Sequence, residues 1–363
     1  MNKIKIFSFF SGVGFLDLGF SQAGFDIAFA NEFNPEFLRS YQFARRNFDT
    51  NPEYGYSNND AATFLDDSIW ENTFNSLELK NFTGFIGGPP CPDFSTAGKN
   101  AGADGIHGQL TTVYVSLICK RHPAFFVLEN VKGLYQTQKH RAFYEKQKRR
   151  LRRSGYILYD SIENALSYGV PQYRDRLILV GFKRKMFSHH LTFSFTTGHK
   201  YDLEKIMQMP WPTKKNFCED DVTIPPKNII DELTVEYWFK RNAVERHPNA
   251  MDYFKPRKIN RFETISEGDV SGKSFKRLHR WRFSPTAAYG NNEVHLHPYK
   301  LRRISVAEAL AIQSLPIWFV LPDQISLSNK FKMVGNGVPY LLAVGIARNI
   351  LETIMKFGII GGE

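Results

Sequence analysis

The stretch Gly87–Asn100, GGPPCPDFSTAGKN, decides how the rest of the chain is read. The apolar pair Phe85-Ile86 leads into two glycines, two prolines and then Cys91. A buried strand that stops at Gly-Gly-Pro-Pro delivers the next side chain at its carboxyl end, where open α/β sheets place their ligands. The glycines allow a sharp turn and the prolines stiffen it, which suits a side chain that must be aimed. Cysteine is a strong nucleophile only as the thiolate, so a catalytic Cys91 needs positive charge or donors nearby. The competing reading is a small buried hydrophobe, the usual fate of a free cysteine. Pro90-Cys91 alone does not separate the two.

The chain of 363 residues accommodates one large catalytic domain and a smaller one, and a hydrophobic content of 42% supplies a full core. No apolar run reaches the length of a membrane span, and the apolar part of MNKIKIFSFF is short for a signal peptide. Cys91, Cys119 and Cys218 form neither a disulfide framework nor a metal-ligand spacing, which points to a reducing cytoplasm. A net charge of +11 favours a polyanionic partner. Between Lys240 and Arg282 there are 12 Lys and Arg against 5 Asp and Glu, so much of the excess lies far from Cys91.

In chain order, KIKIFSFF predicts a buried first strand, followed by SGVGFLDLGF and a helix to Ala23. A Gly-x-Gly turn at Gly12 and Gly14 brings backbone amides to a helix N-terminus, but Asp17 stands where a dinucleotide fingerprint wants a glycine. A second strand ends at Asn31-Glu32-Phe33; an acid there can hold ribose hydroxyls, and Phe33 can stack on a base. Asp60 and Ala61 fall at a third strand end. Residues 95–108 have the composition of a mobile loop, and 109–121 read as a helix that carries Leu110. PAFFVL is a buried strand ending at Glu129; burial there would raise the carboxyl pKa and make it a proton donor. The helix around 137–154 carries 8 Lys and Arg and one acid, and reads as a solvated outer face, with phosphate contact as the alternative. In YGVPQYRDR, Gln172, Arg174 and Arg176 alternate and so share one face of an extended chain.

Beyond Phe182 the periodic pattern dissolves into a region rich in aromatic, basic and proline residues. KSFKRLHRWRF, 273–283, is the strongest nucleic-acid contact there, through Lys273, Lys276, Arg277, Arg280 and Arg282. His295 and His297 resemble a metal pair but lack a third ligand, so no metal is expected. The pattern returns with a capping box at Ser305 and Glu308, then a Gly-Asn-Gly turn at 335–337 before a long apolar helix that must dock elsewhere.

The ordered blocks FSGVGFLDLGF, NE, GGPPCPDFS, ENV, QYRDR, RRISVAEALAIQSLP and GNGVP resemble the DNA cytosine-5 methyltransferases of bacterial restriction-modification type. The resemblance covers 4–182 and 301–355. It implies an α/β fold of the S-adenosylmethionine-dependent, Rossmann-like type, a mixed sheet with helices on both faces plus a small irregular target-recognition domain. The expected division is 1–182 catalytic, 183–300 target recognition and 301–363 a return to the catalytic domain.

The resemblance also implies roles. Phe10, Gly12, Gly14, Glu32, Phe33, Asp60, Ala61, Pro90, Leu110, Asn336 and Val338 would line the S-adenosylmethionine pocket. Cys91 would be the nucleophile, Glu129 would hold and protonate cytosine N3, Arg176 would bind O2, and Arg174 would support the loop or a phosphate. Ser95 and Lys99 would meet DNA as the loop closes. Implied partners are double-stranded DNA and a restriction endonuclease of the same specificity, with a monomeric enzyme, no membrane and no metal. A tRNA cytosine-5 methyltransferase on the same scaffold is the alternative. The chain departs from the family pattern at Pro92, where Gln is usual, at Phe15, where a third glycine is common, and at Gly337, often Ser or Ala.

Overall fold

The computed structural model describes the chain except for residues 1–2, 47–50, 75–81, 91–105, 256–259, 273–274, 288, 290–293 and 359–363, and the side chains of 106–108 and 260. The strands are β1 (Lys5–Phe9), β2 (Asp26–Asn31), β3 (Tyr56–Ser57), β4 (Thr83–Gly87), β5 (Phe125–Val131), β6 (Tyr156–Asn164) and β7 (Asp175–Lys183). They form one seven-stranded sheet in the order β3-β2-β1-β4-β5-β7-β6. The pairs from β3 to β5 are parallel, and β7 runs antiparallel to both β5 and β6. The strand order reverses between β1 and β4, so the carboxyl ends of those two strands flank the crevice where such sheets hold ligands.

Alternation along the strands builds two cores. Phe7, Phe9, Phe29, Phe85, Phe126 and Leu128 point to one face, beneath α3 (Asp67–Phe74), α4 (Ile106–Arg121) and α6 (Gln138–Arg153). Ile6, Ile27, Ile86, Val127, Ile178 and Val180 point to the other, beneath α1 (Phe15–Ala23) and α12 (Tyr340–Phe357). Residues Pro35–Arg45 form α2 and Gly133–Gln136 form α5. The apolar α12 docks along α1, with Leu342, Ile346, Ile350 and Ile354 buried, which makes it a core helix.

After Lys183 the described residues contain no further strand, only short helices: α7 (Leu203–Gln208), α8 (Val235–Arg241) and α9 (Asn260–Glu263). Then come α10 (Val306–Ile312) and α11 (Leu327–Asn336). Trp238, Leu278 and Tyr289 share one core with Phe15, with α10 and with Phe331 and Val334 of α11. The returning segment thus ties the irregular region to the front of the sheet. The expected capping box is present: Ser305 Oγ accepts from the Glu308 amide, and Glu308 Oε2 accepts from the Ser305 amide at 2.7 Å.

One local expectation needs correcting. Gly335 and Asn336 do not form a turn after a loop; they are the last residues of α11, and the chain breaks at Gly337-Val338-Pro339. Ser326 caps α11 and its buried face carries Phe331, Met333 and Val334, an apolar pattern that outweighs two glycine-flanked positions at the end.

Candidate active site

The loop after β1 is built from left-handed backbone at Phe10, Gly12 and Gly14, with φ of 55°, 59° and 84°. This curls the chain so that the Gly12 amide donates to Glu32 Oε2 at 2.8 Å, while the Asn34 amide donates to Glu32 Oε1 at 2.9 Å. Burial nevertheless raises the Glu32 pKa against those two bonds. Phe33, beside it, leaves 67% of its surface exposed. Asn31 Nδ2 donates to the carbonyls of Ser57 and Asn59, which brings Asp60 to the same corner. Asp60 is exposed and caps a short 3₁₀ turn that starts at the buried Ala61. Leu110 on α4 is half-buried and Pro90, at the end of the β4 loop, is exposed.

Asp17, the residue that spoils the dinucleotide fingerprint, has an interior role. It accepts from Ser8 Oγ at 2.8 Å and from the Tyr41 hydroxyl at 2.7 Å, fastening α1 to β1 and to α2. The two departures at Phe15 and Gly337 explain each other. A Cβ on Gly337 would lie 2.1 Å from the Phe15 ring, so the large side chain occupies the room that the missing one leaves. Val338 follows, buried, and Asn336 is exposed.

At the other side of the crevice, Glu129 lies near the carboxyl end of β5 and Arg176 near the start of β7, brought together by antiparallel pairing. Arg176 Nε lies 2.9 Å from Glu129 Oε1, both side chains being about nine-tenths buried. Burial raises the carboxyl pKa of Glu129, with Arg176 and Arg174 opposing it, and burial lowers that of Arg176. A Cβ on Gly88 would sit 2.9 Å from Glu129 Oε2, so the carboxyl rests directly on the Gly-Gly-Pro-Pro turn. Asn130 Nδ2 donates to the Pro89 carbonyl at 3.3 Å and latches the same turn. Cys91 itself lies outside the described residues, as do Ser95, Lys99 and Lys273.

The alternation of Gln172, Arg174 and Arg176 does not yield one surface for substrate oxygens. Arg174 is fully buried, and its guanidinium donates to the carbonyls of Ala287 at 2.9 Å, Gly335 at 2.6 Å and Gly337 at 3.0 Å. Gln172 accepts from the Ala287 amide at 3.0 Å. These two side chains join the β7 approach to the irregular region and to the end of α11, and only Arg176 faces Glu129. Lone carbonyls in a dry interior demand donors, and nothing in the spacing of QYRDR foretells which residues will meet them.

The basic segment needs a similar correction. Arg277 is fully buried and donates to the carbonyls of Phe262, Ile265, His297 and Lys300. Arg280 is buried in a two-pronged pair with Glu267, at 2.8 and 2.9 Å. Neither presents its charge to a phosphate. Lys276 and Arg282 are half-buried and keep part of their surface in water. His297 uses Nδ1 to accept from the amides of Tyr299 and Lys300, and His295 stacks edge-on against Tyr289, so the two rings have separate packing roles.

Comparison with known proteins agrees with this geometry. A family model for C-5 cytosine-specific DNA methylase matches residues 4–352. The chain is 53% identical to the Type II methyltransferase M.NmeDI of Neisseria meningitidis serogroup C over 96% of this chain and 83% of that one. It is 30% identical to the Type II methyltransferase M.MthTI of Methanothermobacter thermautotrophicus over 97% of this chain and 98% of that one. Among solved structures, a prophage-encoded DNA modification methyltransferase of E. coli superposes with a TM-score of 0.70 at 22% identity, covering 97% of this chain and all of that one. The S. pombe Dnmt2 methyltransferase superposes with a TM-score of 0.60 at 12% identity, covering 98% and 99%, a likeness of fold. With a sheet whose carboxyl edge gathers Glu32, Asp60, Glu129 and Arg176, and a family match across nearly its whole length, this chain belongs to the C-5 cytosine-specific DNA methylases and is a DNA cytosine-5 methyltransferase.

Proposed function

We propose that the enzyme modifies cytosine within one specific duplex DNA sequence, as the methylating half of a restriction-modification pair. It would act in the cytoplasm as a monomer, alongside an endonuclease of the same specificity. The observation that carries the chemistry is the buried Glu129–Arg176 pair resting on the turn that leads to Cys91. The Type II methyltransferase relatives support DNA over tRNA as substrate.

The cofactor corner fits an adenosyl group on its own geometry. Each Glu32 oxygen accepts one amide and keeps a second lone pair for a ribose hydroxyl. The exposed Phe33 ring offers a stacking face, Asp60 can accept from an amino group, and a Cβ on Gly12 would meet nothing within 4 Å among the described residues. Phe10, Gly14, Ala61, Pro90, Leu110, Asn336 and Val338 complete the proposed lining. When bound, S-adenosylmethionine supplies an electrophilic methyl group.

The protein's task is to make cytosine C5 nucleophilic. With the base turned out of the helix, the Cys91 thiolate adds to C6 while Glu129, its carboxyl pKa raised by burial, holds N3 and supplies the proton. Arg176 aligns Glu129 and reaches toward the O2 edge. C5 then carries enamine electron density. C5 would take the methyl group as its bond to sulfur breaks and the neutral thioether leaves; loss of the C5 proton to a base, expulsion of the thiolate and return of the N3 proton to Glu129 then restore the aromatic ring. Arg174 acts by holding the Gly335 and Gly337 carbonyls in place. Residues 183–300 form the proposed target-recognition domain, with Lys273, Lys276 and Arg282 as its proposed DNA contacts; Ser95 and Lys99 are proposed contacts of the catalytic part.

The test is methyl transfer from labelled S-adenosylmethionine to mixed-sequence DNA and, in parallel, to unmodified tRNA. Label should appear as 5-methylcytosine in DNA and vanish with Cys91→Ser. With Glu129→Gln, single-turnover transfer should slow by roughly 10²–10⁴-fold, the usual worth of a positioned proton donor, while cofactor affinity is unchanged. Label in tRNA alone would overturn the substrate assignment, and an active Cys91→Ser would overturn the mechanism.

A further inference from the structure

Helix α6 carries a charge pattern that its role in the fold does not account for. Its inner side buries Tyr144, Gln147, Lys148 and Leu151 against the sheet. Its single acid, Glu145, lies 3.2 Å from Lys148, and Lys148 also meets Asp160 at 2.9 Å, so the carboxylates are committed on the protein side. Arg141 stacks over Tyr135 and donates to its hydroxyl, and Arg150 donates to Gln147 and Ser116, all neutral partners. Lys146, Arg149, Arg152 and Arg153 are exposed, and none has an ion-pair partner among the described residues.

Lys146, Arg149 and Arg153 recur at helical spacing and so form one outward row. Arg184 and Lys185 extend it, because the Arg184 amide donates to the Gly155 carbonyl just beyond the helix end and both side chains are exposed. Favourable interaction with the helix dipole accounts for cations in the last turn only. It works against Arg141 near the start and leaves Lys146 and Arg149 unexplained. Like charges three and four residues apart cost a helix stability, so the row is held at some expense by tertiary packing.

We propose that the outer face of α6, continued by Arg184 and Lys185, is a second DNA-backbone contact, separate from the catalytic crevice. The ligand chemistry is a run of phosphodiesters. From Arg141 to Arg153 the helix rises about 18 Å, a length that matches about five phosphates along one strand. The enzyme's own substrate supplies that chemistry, either as sequence flanking the target or as a second duplex held nearby. The inference rests on duplex DNA being the substrate. A contact of this kind would keep the enzyme on long DNA between target sites without constraining the base that enters the crevice.

The test compares the wild-type enzyme with Lys146→Gln/Arg149→Gln/Arg153→Gln, in which every new side chain is a good helix former on an exposed face. Binding to a duplex several helical turns longer than the target, measured across a salt series, should show a log–log slope shallower by about three for the variant. Binding to a minimal target duplex, and single-turnover methylation of it, should be unchanged. An unaltered slope on long DNA would overturn the proposal, and so would an equal loss on the minimal duplex, which would place the row in the crevice. Lys146→Arg/Arg149→Lys/Arg153→Lys keeps the charges and should restore the slope; failure to do so would also count against a phosphate contact. Adding a labelled non-target duplex to the complex with the minimal target separates the sources. Capture by wild type and not by the glutamine variant assigns a second duplex, and no capture with the slope difference intact assigns flanking DNA. A failed substrate assignment would show instead as wild type that does not methylate the minimal duplex.

Discussion

Two stretches of this molecule are strongly basic, and they use their charge in opposite ways. Around Arg277 and Arg280 the guanidiniums point inward, to four backbone carbonyls in one case and to Glu267 in the other. On α6, Lys146, Arg149 and Arg153 point outward and meet no carboxylate among the described residues. A region with little regular secondary structure leaves many backbone carbonyls without a ladder partner, and five-donor guanidiniums answer that demand. A regular helix satisfies its own carbonyls, so its cations are available to something else. Local charge density therefore says little about where charge is offered until the backbone's hydrogen bonds are accounted for.

Arg277→Met should give the largest stability loss. It strands the carbonyls of Phe262, Ile265, His297 and Lys300 in the interior, at a cost of about 3–5 kcal/mol, comparable to removing one partner of a buried ionic network. Denaturant unfolding would read it, and a loss under 1 kcal/mol would mean the region does not depend on its inward arginine. Arg174→Lys should cost about 1–3 kcal/mol, because an ammonium cannot span the carbonyls of Ala287, Gly335 and Gly337 as a planar fork does. Its turnover should fall with stability, since the Gly337 carbonyl adjoins the proposed cofactor lining.

His295 supplies a smaller, pH-dependent contrast. Burial pushes its pKa down to about 3, with Lys276 adding to the effect, and its Nδ1 has no hydrogen-bond partner among the described residues. Unfolded, it would titrate near 6.5. The unfolded chain therefore binds the extra proton between those values, and stability is lost as pH falls from about 6.5 toward 3. His295→Phe keeps a flat ring against Tyr289 and should lessen the fall in melting temperature between pH 7 and pH 5. An equal fall in wild type and variant would remove His295 from the acid response. The α6 glutamine variant completes the comparison: as an exposed change it should move stability by no more than about 0.5 kcal/mol while altering DNA binding.

The first half of the chain was legible because its chemistry sits at strand ends. Glu32 and Glu129 each stand at or near the end of an apolar run that forms a buried strand, and such a run carries the residues at its end to the sheet's edge, whereas Asp60 follows the polar Ser57-Asn58-Asn59. The capping box at Ser305 was legible for a similar reason, its two partners being three residues apart. The partners of Arg174 were hidden in QYRDR because they are carbonyls more than a hundred residues away in sequence. The compensation between Phe15 and Gly337 was hidden in the same manner: each looked like an isolated departure until the two met.

By itself, then, the sequence determined the α/β class, the order of the catalytic blocks and the family to which they belong, since these depend on local periodicity and on side chains carried at fixed strand ends. Tertiary structure alone decided which cations face solvent and which hold the interior, that Asp17 is an anchor and that Gly335-Asn336 ends a helix. Those outcomes depend on which distant backbone groups lack partners, and only the packed chain brings donor and acceptor to within 3 Å.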